Sequence, residues 1–527
     1  YGYARNIFKR ALGGFAFPSN SPGWNTTGFF AALSAGGIGP STSFAIRMEV
    51  ARNLVVKNIT NVVATMFGSV EPDRVVMLGC HRDAWTYGAV DPISGHSIVL
   101  ETGRALGLLQ TQYGWRPRRT IQLLSWDAEE WACTGSTEYV ETYIELLRQR
   151  GVAYINLDTA VTGIDVLSFG ASPSFATLIR DTLPQVALRN GSTTLTLANI
   201  SDGRLSPIGS GSDYVSFVQL AAVPTLAPEM SSFDGRYEAM YHSNYDSAYW
   251  IEHFDDPGYH FHASMTELIA RFMLRLSCDV VLPLNVVDFA NHVSDWGNDI
   301  VGTLDTASTI TMPNSTCNAS VAPSANYFLQ QTSRFVAAAA AFQSLVVQPT
   351  VWVVQQQQAA TVAVGSSMRR AAANGTTANG SAPFVCLFAS PFQALPLESN
   401  PLLPPPPCPV LLDPFSIRRL NDALMGLERV FLGYSSAETG QGWYKHVLFT
   451  PSAVDSYGAT VMPLFADAAA SWLAAAKKAG GCGSVEARAA AVNATFAAGR
   501  VAQFIQRAAL FLEDVGTQPT TIATTTT

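Results

Sequence analysis

The sequence predicts an α/β fold, in which a mostly parallel, mixed sheet carries helices on both faces, followed by an all-helical region. Between about residues 58 and 274, short apolar runs alternate with stretches of helical periodicity, which is the rhythm of strand–helix–strand units. Beyond about Leu284, long alanine-rich helical patterns replace the strand pattern. The two patterns therefore predict a sheet domain followed by a helical domain.

The sheet domain is predicted from three short apolar runs. Residues 74–80, 120–126 and 152–157 are apolar along their length, as strands buried on both faces should be. Helical periodicity predicts helices at 94–110 and 136–150 between them. Because parallel strands present their carboxyl ends at one edge of a sheet, the polar residues that follow these strands should meet there.

The helical domain is predicted from four longer patterns, at residues 326–346, 416–431, 461–478 and 485–512. A biased stretch at about 348–409, with a glutamine run, an Asn/Gly/Thr/Ser run and a proline run, reads as a long surface insertion. The predicted domains are thus residues 1–283 for the sheet, 284–519 for the helices with that insertion, and 520–527 for a low-complexity, mobile tail.

Composition excludes several classes of function. Hydrophobic residues make up 48% and charged residues only 14% of the 527 residues, so the bulk of the chain is not intrinsically disordered. A net charge of −8 without a basic run makes nucleic acid an unexpected partner. Since we see no uncharged apolar stretch of about 18 residues, a membrane anchor is expected only in a segment preceding Tyr1.

Glycosylation sequons predict the cellular compartment. Nine Asn-x-Ser/Thr sequences occur, and only secretory-pathway proteins use them. They predict a glycoprotein that is extracellular or on the cell surface. The same compartment would make Cys317, Cys386, Cys408 and Cys482 candidates for disulfides. The candidate glycosylation sites are Asn25, Asn58, Asn190, Asn199, Asn314, Asn318, Asn374, Asn379 and Asn493.

Acids and imidazoles follow the three predicted strands. The sets are His81, Asp83 and Asp91; then Glu129 and Glu130; then Asp158, with His242 much later in the chain. So many carboxylates at one edge would repel each other unless cations neutralise them. Two divalent ions would account for their number. Imidazole with carboxylate favours zinc, with copper and manganese as weaker alternatives.

The neighbouring acids suggest a division of labour. Of Glu129 and Glu130, one could bind metal while the other stays free to take a proton from an activated water. Asp83 stands two residues from His81. It could accept the second imidazole N–H and so orient the ring.

The motifs that carry these residues resemble a known family. They are GCHRDAW with GAVDPISG, then LLSWDAEEW, YINLD and YHS, with the later segments Leu420–Phe431 and Tyr444–Tyr457. The chain resembles the glutamate carboxypeptidase and transferrin receptor-like family of co-catalytic zinc peptidases. The resemblance implies a zinc-dependent exopeptidase, of carboxypeptidase or aminopeptidase and dipeptidase type, which forms a homodimer through a dimerisation-like helical domain. The alternative is a non-catalytic, receptor-like or structural glycoprotein on the same fold.

The resemblance also implies roles for single residues. Asp91 would bridge two zinc ions, with His81 and Asp158 completing one site and Glu130 and His242 the other. Glu129 would be the general base for the water that attacks the peptide bond, and Tyr241 would stabilise the oxyanion.

Further roles come from the same resemblance. Ser212 and Tyr457 would line the substrate pocket. Glu138 and Glu141 match ligands of a structural calcium ion, whose remaining ligands would precede Tyr1. Relatives of this kind are often type II membrane proteins, anchored before an apical domain that would also precede Tyr1.

Two departures and one backbone feature complete the expectations. The family's glutamate readers use cationic residues where this chain has Ala227 to Glu229, Ser168 and Ser456. We therefore expect neutral or apolar substrates, because a buried substrate carboxylate needs a cationic partner. The Asp91–Pro92 bond is expected to be cis, since proline lowers the cost of that geometry.

Overall fold

The structure is a computed structural model. It describes residues 55–189, 194–310, 318–356, 358, 414–433, 442–451, 458–479 and 484–517. The chain divides into two compact units, Tyr1–Asn58 and Ile59–Thr527. Nearly all of the first unit lies outside the described residues, and the second contains every element below. The predicted tail and most of the predicted insertion also lie outside the described residues.

The main sheet is mixed and has a parallel centre, as predicted. Its spatial order is β1-β3-β2-β4-β7-β5-β6. Strands β3, β2, β4 and β7 pair in parallel, whereas β1 is antiparallel to β3 and β5 is antiparallel to β7. The strands are β1 (Val62–Met66), β2 (Glu71–His81), β3 (Arg119–Trp126), β4 (Gly151–Asn156), β5 (Val166–Ala171), β6 (Ser201–Ser206) and β7 (Thr225–Ser231).

Helices cover both faces of this sheet. Side chains alternate along β2, so that Val76 and Leu78 enter one core while Met77 enters another. The first core includes residues of α1 and α4, and the second includes residues of α2. The helices of this region are α1 (Ile93–Tyr113), α2 (Thr134–Arg150), the short α3 (Ala176–Thr182) and α4 (His260–Cys278).

The second half of the chain is mainly helical. Its longest helix, α9, packs against α6 and α8, and an ion pair joins Arg334 of α6 to Glu513 of α9 at 2.6 Å. The helices are α5 (Val286–Ile310), α6 (Asn318–Phe342, followed by a π-helical segment to Val347), α7 (Pro414–Gly426), α8 (Pro463–Ala479) and α9 (Val485–Thr517). Four of them lie where helical periodicity predicts them.

The helical region contains one feature that the sequence did not indicate. Strands β8 (Phe449–Pro451) and β9 (Ala459–Val461) pair as a small antiparallel ladder. Each has three residues, too few to show a strand pattern. Apolar residues of the sheet and helical regions belong to one continuous core, and the domain division at residues 283 and 284 stays a prediction.

One helical stretch qualifies the expectation about membranes. Ser324–Gln356 is long and apolar enough to cross a membrane by length and composition. The core helix of a helical bundle has the same character, and Phe328, Phe335 and Phe342 of this stretch are buried in the common core. The stretch is therefore weak evidence for a membrane span.

The sequons and cysteines are only partly covered by the described residues. Asn58, Asn199 and Asn493 are exposed, as glycosylated residues must be. Glycosylation and an extracellular location stay predictions. The thiols of Cys80 and Cys133 form no disulfide, and the four cysteines expected to form disulfides lie outside the described residues.

A buried arginine joins the sheet to the start of the helical region. Arg119, at the first position of β3, has no exposed surface. Its Nε lies 2.9 Å from Glu71 Oε2, and its Nη atoms donate to the carbonyl oxygens of Leu276, Asp279 and Val280. One guanidinium thereby donates hydrogen bonds to carbonyl oxygens at the end of α4 and in the segment that follows it.

We expect Arg119→Met to destabilise the fold by about 3–5 kcal/mol, because three carbonyl oxygens would lose their donor and Glu71 would keep only Arg118 as its cation. The midpoint of denaturant unfolding and the melting temperature would both fall. Arg104→Met is the matched control, since Arg104 pairs with Glu101 on an exposed helix surface and such pairs contribute little. Equal stability of the two variants would contradict this account of Arg119.

Candidate metal centre

The candidate ligands come from five places in the chain, the fifth being His242 in the segment between β7 and α4, and meet at the carboxyl edge of the sheet. His81 is the last residue of β2, Glu129 and Glu130 follow β3, and Asp158 follows β4. Asp91 lies just before α1. Because β2, β3 and β4 are adjacent and parallel, their carboxyl ends necessarily bring these side chains together.

The first group of ligand atoms surrounds His81. Its Nε2 lies 3.0 Å from Asp158 Oδ1 and 3.3 Å from Asp91 Oδ1. Its Nδ1 lies 2.9 Å from the carbonyl oxygen of Asp83, to which it donates. That bond turns Nε2 toward the two carboxylates.

The second group surrounds His242. Its Nε2 lies 3.0 Å from Asp91 Oδ2 and 3.2 Å from Glu130 Oε2. Asp91 is thus shared, with one carboxylate oxygen facing each imidazole. The Asp91–Pro92 peptide bond is cis, as predicted. In each group the ligand atoms lie within 4.8 Å of one another, close enough for a single ion to contact all three.

Burial and the proximity of several carboxylates together determine the electrostatics of the centre. Burial and the neighbouring Asp91 raise the pKa of Glu130 to about 7. Burial, with Asp158 next in importance, raises the pKa of Asp91. Burial opposes charge on His81, but the carboxylates, Asp158 above all, outweigh it and raise the pKa of His81 well above its usual range. All three shifts show a site that favours added positive charge.

Glu129 and Glu130 differ as the predicted division of labour requires. Glu130 faces His242, whereas Glu129 belongs to neither group of ligand atoms. Glu129 Oε1 lies 3.3 Å from the thiol of Cys133, which donates to it. Burial and then the charge of Asp158 raise the pKa of Glu129 to about 9. Glu129 therefore stands beside the centre with a strong affinity for a proton.

The predicted role of Asp83 needs a correction. Its carbonyl oxygen, not its carboxylate, accepts the hydrogen bond from His81, since Oδ1 is 3.7 Å from Nδ1. The carboxylate instead accepts the backbone N–H groups of Glu129 and Glu130, at 3.0 and 3.3 Å. Asp83 therefore holds the loop after β3 against the end of β2, which is a second orienting role that spacing alone does not reveal.

Ser212 also has a role other than the one expected. It is buried and its hydroxyl donates to Asp158 Oδ2 at 2.6 Å. Behind it, Asn156 Nδ2 donates to Ser212 Oγ at 2.8 Å, Tyr154 Oη donates to Asn156 Oδ1 at 2.9 Å, and Trp126 Nε1 donates to Tyr154 Oη at 2.9 Å. This buried chain of hydrogen bonds orients Asp158, whereas a substrate-pocket residue would face the cleft.

Asp246 is a functional residue that the sequence analysis missed. Its two carboxylate oxygens accept the backbone N–H groups of Val90 and Asp91, at 2.7 and 3.0 Å. The hydroxyl of Tyr237 donates to it as well, at 3.0 Å. Asp246 thereby ties the loop that carries Asp91 to the loop that carries His242. Its position four residues after His242 is the one feature of the sequence that could have indicated a role near the centre.

Aromatic rings line the His242 side of the centre. The ring of Tyr241 stacks on that of His242, with centroids 3.7 Å apart. The ring of Trp85 meets that of His242 edge-on, with centroids 6.2 Å apart. Trp85 also contacts Trp131, with centroids 5.1 Å apart in a tilted arrangement, and both indoles are exposed. Tyr241 thus lies beside the centre, as expected, and the two tryptophans add an exposed apolar rim.

Two further expectations are not tested by the described residues. Glu138 and Glu141 are exposed on α2, and Glu141 accepts a hydrogen bond from Trp443 at 3.2 Å. A structural calcium ion at these residues stays a prediction. Tyr457 lies outside the described residues.

Comparison with known proteins agrees with this arrangement. Residues 61–262 match peptidase family M28, and residues 410–513 match the transferrin receptor-like dimerisation domain. The probable glutamate carboxypeptidase LAMP1 of Arabidopsis thaliana is 38% identical over 268 residues, which cover 50% of this chain and 38% of that protein. Aminopeptidase NAALADL1 of Rattus norvegicus is 29% identical over 451 residues, which cover 82% of this chain and 49% of that protein. The chain therefore spans about half or less of the length of these relatives.

Among solved structures, a zinc aminopeptidase from Bacillus subtilis, BSAP, is similar over 40% of this chain and 49% of that chain, with 22% identity and a TM-score of 0.32. The two family matches coincide with the sheet region, which contains all the candidate ligands, and with most of the helical region. Residues 61–262 of this chain are thus similar to peptidase family M28, and residues 410–513 are similar to the transferrin receptor-like dimerisation domain.

Proposed function

We propose that this chain is a di-zinc exopeptidase that hydrolyses peptide bonds. The observation that carries the proposal is the orientation of Asp91, whose Oδ1 faces His81 and whose Oδ2 faces His242. A carboxylate shared in this way is the means by which two ions are held about 3.5–4 Å apart. The relatives are named as carboxypeptidases and aminopeptidases, which supports action at a chain end.

The residues present suit zinc. Each group combines one imidazole with two carboxylates, counting Asp91 in both, and these are ligands that zinc prefers. Burial first, and the charge of a neighbouring carboxylate to a smaller extent, raise the pKa values of Asp91 and Glu130, so a cation beside them would be favourable. His81, Asp158 and Asp91 would hold one ion, and Glu130, His242 and Asp91 the other. When bound, zinc supplies Lewis-acid activation of water and of the substrate carbonyl.

The chain's own residues supply the proton transfers. Glu129 is buried beside the centre, and its raised pKa suits a group that accepts a proton from the attacking water and then passes it to the departing amine. The thiol of Cys133 and the backbone bond to Asp83 hold it in place. Tyr241, fixed by stacking on His242, is the residue we propose to stabilise the negative charge on the carbonyl oxygen.

A purely binding role fits the site less well. A receptor-like glycoprotein on this fold would not need a shared carboxylate, two imidazoles and a free buried acid in one cluster. All of these side chains are present and converge. The completeness of the centre therefore favours catalysis over the alternative of a non-catalytic relative.

Zinc content after single substitutions tests the bridging role. We expect the wild-type chain to retain about two zinc ions, Asp91→Ala to lose both, and His242→Ala to keep about one, because only Asp91 serves both groups. Elemental analysis after gel filtration measures this. Asp234→Ala is the control, since that carboxylate pairs with Arg236 on an exposed loop and should leave both ions. Two retained ions in Asp91→Ala would refute the bridging role.

Glu129→Gln tests the base. We expect peptide hydrolysis to fall by roughly 10²–10⁴-fold with both zinc ions still bound, because the amide keeps the shape of the side chain but cannot accept the proton. Hydrolysis of a peptide library by the wild-type chain should also stop with a chelator and return with zinc. The control is the exposed Glu145→Gln. If zinc disappears together with activity, Glu129 is a ligand and not the base.

We also propose that the chain forms a homodimer through its helical region. Helix α9 carries an exposed apolar stripe of Val485, Val492 and Phe496, whose spacings of seven and four residues place them on one helix face. Leu510 on the same helix is exposed as well. A contiguous apolar face on a soluble surface marks an interaction site, and residues 410–513 match a dimerisation domain.

Phe496→Glu should shift the chain from dimer to monomer at micromolar concentration, because a charge would be buried at the centre of the stripe. Sedimentation equilibrium measures the change, which we expect to exceed tenfold in the dissociation constant. Tyr113→Glu, an exposed aromatic position at the end of α1, is the control and should remain dimeric. A wild-type monomer would contradict the proposal outright.

A further inference from the structure

A carboxylate outside the metal ligands lies next to the centre. Glu229 is in β7, which pairs with β4 from Tyr154 opposite Thr225 to Ile155 opposite Leu226, and a further bridge joins Val161 to Met230. Asp158 lies between Ile155 and Val161 in the chain, and so between these two pairings. The register therefore places Glu229 beside Asp158, at the same carboxyl edge as the ligands.

The side chain of Glu229 faces an open part of that edge. Along β7, Ala227 and Glu229 are partly exposed, whereas Leu226, Pro228 and Met230 are buried. The residues directly opposite on β5 are Ser168 for Glu229 and Gly170 for Ala227, and directly opposite residues project from the same face. The neighbours of the carboxylate on this face are therefore small.

The charge of Glu229 is poorly compensated within the described residues. None of the ion pairs found among them involves Glu229. The hydroxyl of Thr162 lies 3.2 Å from Oε1 but also 2.9 Å from the carbonyl oxygen of Met230, and one hydroxyl proton can serve only one of them. Burial, with a smaller contribution from Asp158, raises the pKa of Glu229 to about 7.

We infer that Glu229 is a specificity residue that binds a primary ammonium group of the peptide substrate. This inference rests on the proposed peptidase function. A carboxylate that is partly desolvated and lacks a cationic partner gains most from a ligand that brings the cation. The α-ammonium group of a free amino terminus and the side chain of a lysine share this chemistry. An acidic group at the same place would be repelled, which agrees with the neutral preference predicted from the sequence.

The test compares peptides that differ only in where they carry an ammonium group. One neutral peptide has a free amino terminus, the second is its N-acetylated form, and the third is N-acetylated but contains a lysine next to the scissile bond. We expect Glu229→Gln to lower kcat/KM for the free-amine peptide by roughly 10- to 100-fold, the range of a charged hydrogen bond. The acetylated neutral peptide should change by less than about threefold. Dependence on Glu229 for the lysine peptide alone would assign the ammonium group to the side chain.

Controls separate this inference from the proposed function. Zinc content must be equal in wild type and Glu229→Gln, and the exposed Glu238→Gln should behave as wild type. Glu229→Asp keeps the charge and should retain part of the preference, which guards against a folding defect. An equal loss for the free and the acetylated peptide, or no loss for any peptide, would overturn the inference.

Binding of hydroxamates gives a readout that does not need turnover. Leucine hydroxamate and N-acetyl-leucine hydroxamate differ only at the amine, and calorimetry on the zinc-loaded chain measures both. We expect the free-amine compound to bind at least tenfold more tightly, and this difference to vanish in Glu229→Gln. If that holds while no peptide is hydrolysed, the proposed function fails and the inference stands. If peptides are hydrolysed but both hydroxamates bind equally, the function stands and the inference fails.

Discussion

The constraint on which the structure most depends is the gathering of negative charge at one edge of the sheet. Asp91, Asp158 and Glu130 are brought within a few ångströms of two imidazoles by strands that are adjacent and parallel. Such a cluster needs supporting groups that fix each carboxylate against repulsion. The hydrogen-bond chain from Trp126 to Asp158, the bonds of Asp246 to the loop of Asp91, and the bonds of Asp83 to the loop after β3 do this.

The backbone around the centre is also shaped by this requirement. Ala128, Ala132, Cys133 and His242 all have positive φ values, between 51° and 65°, a region that residues with a side chain rarely occupy. Conformations of this kind persist only where surrounding contacts hold them, and they concentrate at functional sites. Here three of the four lie in the loop that presents Glu129 and Glu130, and the fourth is itself a candidate ligand. The loop geometry therefore serves the placement of side chains at some cost in local stability.

The sequence predicts those parts of this arrangement that depend on local pattern. Strands β2, β3 and β4 are continuous apolar runs because both faces of each are buried, and the ligands follow them directly. Strand β7 escaped notice because it alternates, with Ala227 and Glu229 partly exposed and a proline between them. Contacts between distant segments escaped as well: Ser212 meets Asp158 across 54 residues and Asp246 meets Asp91 across 155. Tertiary pairing decides such roles, so local spacing gave only part of the role of Asp83, and the family resemblance did not indicate that Ser212 orients Asp158.

Buried charge is handled in three different ways within one molecule. At the amino end of β3, the guanidinium of Arg119 is paired with Glu71. Between the sheet and the helical region, Glu428 and His446 are both fully buried, and burial raises the pKa of Glu428 to about 8 and lowers that of His446 to about 3. Both groups are therefore uncharged at neutral pH, and Glu428 Oε1 accepts a hydrogen bond from Ser172 at 2.7 Å. Among the described residues, the carboxyl edge is where several carboxylates converge in excess of the imidazoles beside them. Ion pairing and loss of charge suffice where buried groups serve packing alone, so the unbalanced edge is the part of the fold whose charge calls for ions from outside the chain.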